Sequence, residues 1–161
     1  MIAHIGIDPG ANGSAAVLTE DRKIHIIRFN KATEKEVWEF FRDISYDYEC
    51  FCTLEQVGAM PGQGVSSMFS FGDSVGFIRG ILTASGVPFE QKVPRVWQKA
   101  LGIAPRLIER DATKKIIKEE SKTDFKRRLK EKAEQLFPTV KVTLDVADSL
   151  LIAEFNKRTR G

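Results

Sequence analysis

The stretch "HIGIDPGANGSAAVL", residues 4–18, constrains the fold of this chain more than any other feature. An apolar run typical of a buried strand ends directly on Asp8, and Pro9-Gly10 and Asn12-Gly13 follow it. These residue types favour a tight turn that leads back into a second strand. Asp8 itself has three interpretations: part of a plain turn, part of a loop that cradles a nucleotide phosphate, or a ligand to a metal ion. The choice depends on which groups the fold brings to this strand end.

The hydrophobic periodicity of the whole chain predicts an α/β fold. The first three strands are joined by short polar turns and are predicted to be antiparallel. We therefore expect one domain, residues 1–161, with a mixed five-stranded sheet and helices on both faces. Strands are predicted at 2–7, 14–18, 24–29, 50–57 and 87–93, helices at 33–44, 66–85, 94–102, 106–136 and 145–158, and a loop at 58–64.

The predicted helix 66–85 carries two stripes of side chains. Glycine costs about 1 kcal/mol per site in a helix, so a repeated glycine indicates that another backbone approaches closely. Either this helix packs on its own sheet, or one stripe meets the core and the other a partner subunit. The apolar stripe consists of Met68, Phe71, Val75, Ile78 and Leu82, and the glycine stripe of Gly72, Gly76 and Gly80.

Charge and composition narrow the class of protein. The net charge is only +3, but residues 106–135 contain eleven Lys/Arg against seven Asp/Glu, which favours a polyanionic partner for that segment. Cys50 and Cys52 lie too close for an unstrained disulfide and match no zinc motif, so we expect reduced core residues. The N-terminus does not resemble a signal peptide, and no apolar run approaches the ~18 residues of a membrane span. An intracellular, cytoplasmic protein is expected.

Carboxylates occur at three places that an ordinary solvated surface does not explain. Asp8 ends the first strand, and Glu55 lies near the end of the fourth. Asp145 and Asp148 open the last helix and, being three residues apart, project from one face. Each has a simpler alternative: an Asx turn for Asp8, a helix N-cap for Asp145, and a solvated position for Glu55 and Asp148.

Together the four acids predict a cation site. If strands one and four are neighbours, Asp8 and Glu55 converge at one end of the sheet, and the last helix delivers the other two. Clustered carboxylates repel one another unless a cation neutralises them, and oxygen ligands suit Mg²⁺ or Mn²⁺. Two such ions about 3.5–4 Å apart can activate the attacking and leaving oxygens of a phosphodiester.

The segments "HIGIDPGANGSAAVL", "LEQV" and "DVADSLLIAEF" resemble the three acidic motifs of RuvC-type Holliday-junction resolvases, which have a ribonuclease-H-like fold. The resemblance runs from the first strand to the last helix. It implies a metal-dependent endonuclease that nicks four-way DNA junctions symmetrically as a homodimer, leaving 5′-phosphate and 3′-hydroxyl ends. It also implies two Mg²⁺ ions per site, with Mn²⁺ able to substitute. Asp8 would bridge both ions, Glu55 and Asp148 would hold one each, and Asp145 would complete the shell or orient the water.

The resemblance further implies a basic residue beside the scissile phosphate. Lys126 is the first choice and Lys122 the second. An aromatic residue near the junction centre would correspond to Met60, Phe69 or Phe71, with Phe69 and Phe71 as alternative core residues. The expected DNA contacts are Lys99, Arg106, Lys115, Lys118, Lys122, Lys126, Arg127 and Phe69.

Several other functions use similar sequence features. Sugar-kinase and actin-type ATPases also begin with a strand, an Asp and a glycine turn, but they need a second domain that 161 residues do not accommodate, so no nucleotide cofactor is expected. A ribonuclease H acting on RNA–DNA hybrids, a nuclease with broader branched-DNA specificity for forks and flaps, and a non-catalytic DNA-binding module remain open. The small size and divergent middle segment favour a phage version, which would act in the host cytoplasm.

Overall fold

The computed structural model describes residues 1–58 and 64–160. The predicted loop 58–64 therefore lies mostly outside the described residues, and so does Met60. A five-stranded sheet and five α-helices make up most of the structure. The strands are β1 Ile2–Asp8, β2 Ser14–Thr19, β3 Ile24–Arg28, β4 Glu49–Glu55 and β5 Phe89–Lys92, and the helices are α1 Glu34–Asp47, α2 Val65–Ala84, α3 Pro94–Ala100, α4 Lys122–Leu136 and α5 Leu144–Arg160.

The sheet is mixed, as predicted. Its strand order is β3-β2-β1-β4-β5, so the first and fourth strands are neighbours. β1, β2 and β3 pair in antiparallel fashion, and β4 and β5 join on the other side in parallel. The parallel pairing places the carboxyl ends of β1 and β4 side by side at one edge of the sheet.

Helices cover both faces of this sheet. On one face, Ile5 and Ile7 of β1 pack with side chains of α1 and α2 such as Phe41 and Leu82. On the other face, α3, α4 and α5 form a second core that includes the fully buried Trp97. β1 is therefore buried on both sides, which explains why its sequence is almost continuously apolar.

Helix α5 lies unusually close to β1 because of Gly6. A Cβ atom at this position would lie 2.1 Å from the backbone nitrogen of Ala153 and 2.3 Å from the carbonyl oxygen of Ser149. Only glycine permits this approach. Ser14 at the start of β2 adds a polar anchor, because its hydroxyl lies 2.7 Å from the Ser149 hydroxyl and donates to the Asp145 carbonyl.

The prediction of a helix over 106–136 is wrong in its first half. Residues 108–119 form an antiparallel hairpin, β6 Ile108–Arg110 with β7 Ile116–Glu119, and α4 begins only at Lys122. The Asp111 carboxylate accepts hydrogen bonds from the backbone of Thr113 and Lys115, which closes the turn. Lys114 adopts a positive φ of 67° there. The β-branched Ile116 and Ile117 favour the returning strand over a helix.

In α2, the predicted apolar stripe is buried only at its C-terminal end. Ile78 and Leu82 reach the core, whereas Met68 is 36% exposed. No described atom lies within 4 Å of a Cβ built at Gly72, Gly76 or Gly80, so the glycine stripe packs against nothing within residues 1–58 and 64–160.

Cys50 and Cys52 are free and buried, as expected. Among the described helices, none has the length and apolar character needed to cross a membrane.

Candidate active site

Asp8 and Glu55 lie at equivalent positions of adjacent parallel strands. Ile7 of β1 pairs with Leu54 of β4, so the next residue of each strand ends its strand beside the other. Side chains alternate along a strand, so Asp8 points to the same face as Gly6, the face that α5 covers. Glu55 points to this face as well, since its neighbour two residues back, Thr53, accepts a hydrogen bond from Asn156 of α5.

The turn after Asp8 depends on Gly13. A Cβ at Gly13 would lie 2.1 Å from the carbonyl oxygen of Asp8, and the Gly13 N–H donates to the carbonyl of Gly10 at 2.7 Å. The backbone of Gly10 in turn hydrogen-bonds the Asp8 carboxylate. These glycines close the turn tightly around Asp8.

Asp148 is brought to the same place by α5. It lies beside Ser149, whose carbonyl contacts Gly6, and its side chain is almost fully buried. One carboxylate oxygen, Oδ2, accepts a short hydrogen bond from the ammonium of Lys126 on α4. The other, Oδ1, is buried and has no hydrogen-bond partner among the described residues.

The proximity of the three acids affects the pKa values of Glu55 and Asp8. The pKa of Glu55 is raised to about 8, first by burial and then by the charges of Asp8 and Asp148. The hydrogen bond from Trp97 and the charge of Lys126 lower this pKa, but by less. Burial and the Asp148 charge also raise the pKa of Asp8. Burial alone would lower the pKa of Lys126, but the three surrounding carboxylates outweigh that effect and raise it. One ammonium, on a half-exposed side chain, thus lies beside three acids.

The fourth predicted acid, Asp145, points elsewhere in this structure. Its Oδ2 lies 3.3 Å from Nε of Arg28 on the edge strand β3, and its Oδ1 accepts a short hydrogen bond from Thr143. Arg28 also donates to the Thr143 hydroxyl at 3.2 Å. The charge of Asp145 is not among the causes that raise the pKa values of Asp8 and Glu55.

The predicted DNA-contact residues fall on the hairpin, on α2, α3 and α4, and at Arg106 just before the hairpin. Lys115 and Lys118 are exposed on the hairpin, and Lys99 is exposed on α3. Arg106 pairs with Glu119, and Arg127 pairs with Asp124. Lys122 and Lys126 lie on α4, while Phe69 is 78% exposed on α2 and Phe71 is half-buried there. Phe69 is thus not a core residue in this chain.

Sequence reasoning missed the groups that hold the acids in place. Trp97 donates to Glu55, and Arg28 with Thr143 holds Asp145. A tryptophan inside the predicted helix 94–102 does signal a buried N–H that needs an acceptor. Which acceptor it finds is decided by the packing of α3 against the sheet.

The donor types fit a hard divalent cation. In their present arrangement, no three or more His, Cys, Asp or Glu side chains within 1–58 and 64–160 form a ready-made metal site. However, the cluster offers only oxygen donors, one of them the unpartnered Oδ1 of Asp148, and it holds more negative charge than Lys126 can neutralise. Buried carboxylates with this imbalance are stabilised by Mg²⁺ or Mn²⁺.

Comparison with known proteins identifies the fold. No family model matches the sequence, and no curated protein does. Among solved structures, RuvC of Thermus thermophilus in complex with a Holliday junction matches with a TM-score of 0.58 and 15% identity, covering 99% of this chain and 97% of that one. A second structure of T. thermophilus RuvC matches with a TM-score of 0.54 and 16% identity, covering 98% and 96%.

The chain shares the RuvC fold. The match covers nearly every residue of both proteins, so the two chains have one common fold from end to end.

Proposed function

We propose that this protein is a metal-dependent endonuclease that resolves four-way DNA junctions by paired symmetric nicks. The observation that carries the proposal is the convergence of Asp8, Glu55 and Asp148 with one lysine at the sheet edge of a RuvC-like fold. This is the arrangement expected of the ribonuclease-H-like nucleases. Residues 1–161 would form a single endonuclease domain that acts inside the cell.

Asp8, Glu55 and Asp148 are the proposed ligands for two Mg²⁺ ions, with Asp145 as a fourth whose ion pair with Arg28 competes with that role. When bound, such ions activate the attacking water and stabilise the charge that develops on the phosphate. The products would be a 5′-phosphate and a 3′-hydroxyl.

The protein's own groups would orient and stabilise the reacting phosphate. Lys126 is 48% exposed at its side chain although it contacts the buried Asp148, so its ammonium faces both the acids and the solvent where DNA would lie. There it can donate a hydrogen bond to a phosphate oxygen and stabilise its growing charge.

The β6–β7 hairpin is the proposed contact surface for the DNA backbone. It presents Lys114, Lys115 and Lys118 to solvent, and it is tied to α4 by Arg128, which donates to both oxygens of Glu120. Lysines on a hairpin that is fixed to the rest of the protein can contact DNA phosphates. Such contacts position a protein on DNA without reading its base sequence.

The exposed N-terminal half of α2 is the proposed homodimer interface. Val65 and Phe69 are 81% and 78% exposed, and the glycine stripe beside them is open. Burying such a surface against a second copy would relate two active sites by twofold symmetry, as paired nicks require.

The test is cleavage of synthetic four-way, three-way and flap DNA and of an RNA–DNA hybrid in Mg²⁺, with the product ends mapped. We expect symmetric nicks in the four-way junction, none in EDTA, and none by Asp8→Asn, which should still bind the junction. Full activity of Asp8→Asn or of the wild type in EDTA would refute the metal assignment. Preferential cleavage of the hybrid would identify a ribonuclease H instead.

A further inference from the structure

Trp97 is buried directly behind one of the proposed metal ligands. Its side chain is 0% exposed, and its indole Nε1 donates to Oε1 of Glu55 at 3.0 Å. It is the one side-chain donor to this carboxylate among the described residues. An indole N–H can only donate, so the contact fixes which carboxylate oxygen faces the helix.

The helix that carries Trp97 is attached to the strand that carries Glu55. Gln56, the residue after β4, donates its N–H to the carbonyl of Lys92 at the end of β5, and Pro94 then opens α3. The end of β4 and the start of α3 are therefore held together by a backbone hydrogen bond. The indole cannot move away from Glu55 without disrupting this connection or the core in which its ring is packed.

The remaining Glu55 oxygen, Oε2, accepts no hydrogen bond from the described residues, whereas Oε1 is engaged by Trp97. Asp8 and Asp148 are the two acids whose charges raise the pKa of Glu55, so both lie near its carboxylate. A glutamate has three rotatable bonds, and an unrestrained one would sample several orientations at a strand end. A single hydrogen bond from a rigid, buried ring removes most of that freedom.

Accepting the proposed nuclease function, we propose that Trp97 is a positioning residue: its indole N–H holds one oxygen of Glu55 so that the other is presented, with Asp8 and Asp148, to a divalent cation. Loss of a partner that orients a metal ligand in this way typically weakens metal binding by about 10- to 100-fold. Trp97 itself touches neither the cation nor the DNA.

The test measures metal binding directly, with Mn²⁺ as the probe and electron paramagnetic resonance to count free ions. Trp97→Phe removes the N–H but keeps most of the ring volume. We expect it to weaken Mn²⁺ binding about 10-fold or more and to raise the Mg²⁺ concentration needed for half-maximal cleavage, at unchanged affinity for the junction. Trp38→Phe, on α1 under the Arg42 guanidinium, is the matched control and should alter neither.

A second measurement leaves Trp97 intact, in case the phenylalanine variant fails to fold. Trp38→Phe leaves one tryptophan in the chain, so the ¹⁵N-labelled indole N–H gives a single resonance. We expect this resonance to move when Mg²⁺ is added and to move when Glu55→Gln is introduced. Two results would overturn the inference, given a wild type that binds Mn²⁺ and cleaves junctions. One is an indole resonance of Trp38→Phe that moves neither with Mg²⁺ nor with Glu55→Gln. The other is Mn²⁺ binding by Trp97→Phe that is as tight as that of the wild type. Absence of Mn²⁺ binding and cleavage in the wild type would instead refute the proposed function.

Discussion

Replacement of Glu55 by glutamine should make the metal-free protein more stable at alkaline pH. The pKa of Glu55 rises from 4.5 to about 8 on folding because the carboxyl is buried next to Asp8 and Asp148. The folded protein therefore keeps a proton that the unfolded chain releases above pH 4.5. Stability is lost as the pH rises from 4.5 to 8 and stays low above that.

The size of the effect follows from the same values. At about 1.4 kcal/mol per pH unit, the difference between the two pKa values corresponds to an upper limit of roughly 5 kcal/mol in the free energy of unfolding. Glutamine has nearly the same shape, and its Oε1 can still accept the Trp97 hydrogen bond. The variant removes the charge and leaves the packing in place.

Urea denaturation in EDTA at pH 5 and pH 9 measures the difference. We expect wild type and Glu55→Gln to be similarly stable at pH 5, and the variant to be more stable at pH 9 by several kcal/mol. Mg²⁺ should restore much of the lost stability to the wild type only. Glu34→Gln, an exposed position on α1, is the control that should leave the pH profile unchanged. Parallel profiles for wild type and Glu55→Gln would show that the carboxylates do not form a coupled buried cluster.

Three further variants test separate parts of the structure. Lys126→Ala should slow the single-turnover cleavage step without changing junction affinity in a binding assay, because its ammonium is proposed to act on the transition state beside Asp148. Gly6→Ala should destabilise the fold by about 3 kcal/mol or more in thermal or urea denaturation, because its Cβ would meet the α5 backbone at 2.1 Å. The double change Lys115→Ala with Lys118→Ala should weaken junction binding and lower its salt dependence by about one unit of slope for each phosphate that a lysine no longer neutralises.

Matched controls separate these effects from general damage. Gly58→Ala has no described atom within 4 Å of its Cβ and should be tolerated. Lys31→Ala with Lys35→Ala removes the same charge from a different part of the surface, so it should affect junction binding much less. If Lys126→Ala loses affinity for the junction but cleaves bound junction at the normal rate, Lys126 is a DNA-contact residue. Unchanged stability of Gly6→Ala would contradict the prediction that α5 packs on the bare backbone of Gly6. Equal effects of the two double-lysine variants on junction binding would contradict the proposed role of the hairpin.

Local sequence patterns were sufficient for the elements that enter the sheet. The apolar run of β1, the short polar turns after it and the amphipathic spacing of α1 each depend on interactions within a few residues. At α1 the agreement extends to the helix start, where Thr33 and Glu36 form a capping box. The mixed sheet with helices on both faces could therefore be predicted, and the structure confirms it.

The charged middle segment could not be predicted in the same way. Residues 106–119 contain many good helix formers, and single-residue propensities favoured a helix. The hairpin forms because the Asp111 side chain closes its turn and because Arg106 and Arg128 bind Glu119 and Glu120. These contacts span 2 to 13 residues. They depend on specific side-chain pairs, which the helix propensity of single residues does not include.

For the candidate site, the sequence by itself determined the chemistry: four carboxylates placed at strand ends and at the start of a helix. Tertiary structure decided which of them meet. Parallel pairing of β1 with β4 joins Asp8 to Glu55, and the bare backbone of Gly6 lets α5 bring Asp148 to them. Asp145, one helical turn earlier, is held at the sheet edge by Arg28 instead. The physical reason is that residue type and helical spacing are properties of the chain, whereas the distance between two carboxylates depends on how closely separate elements pack.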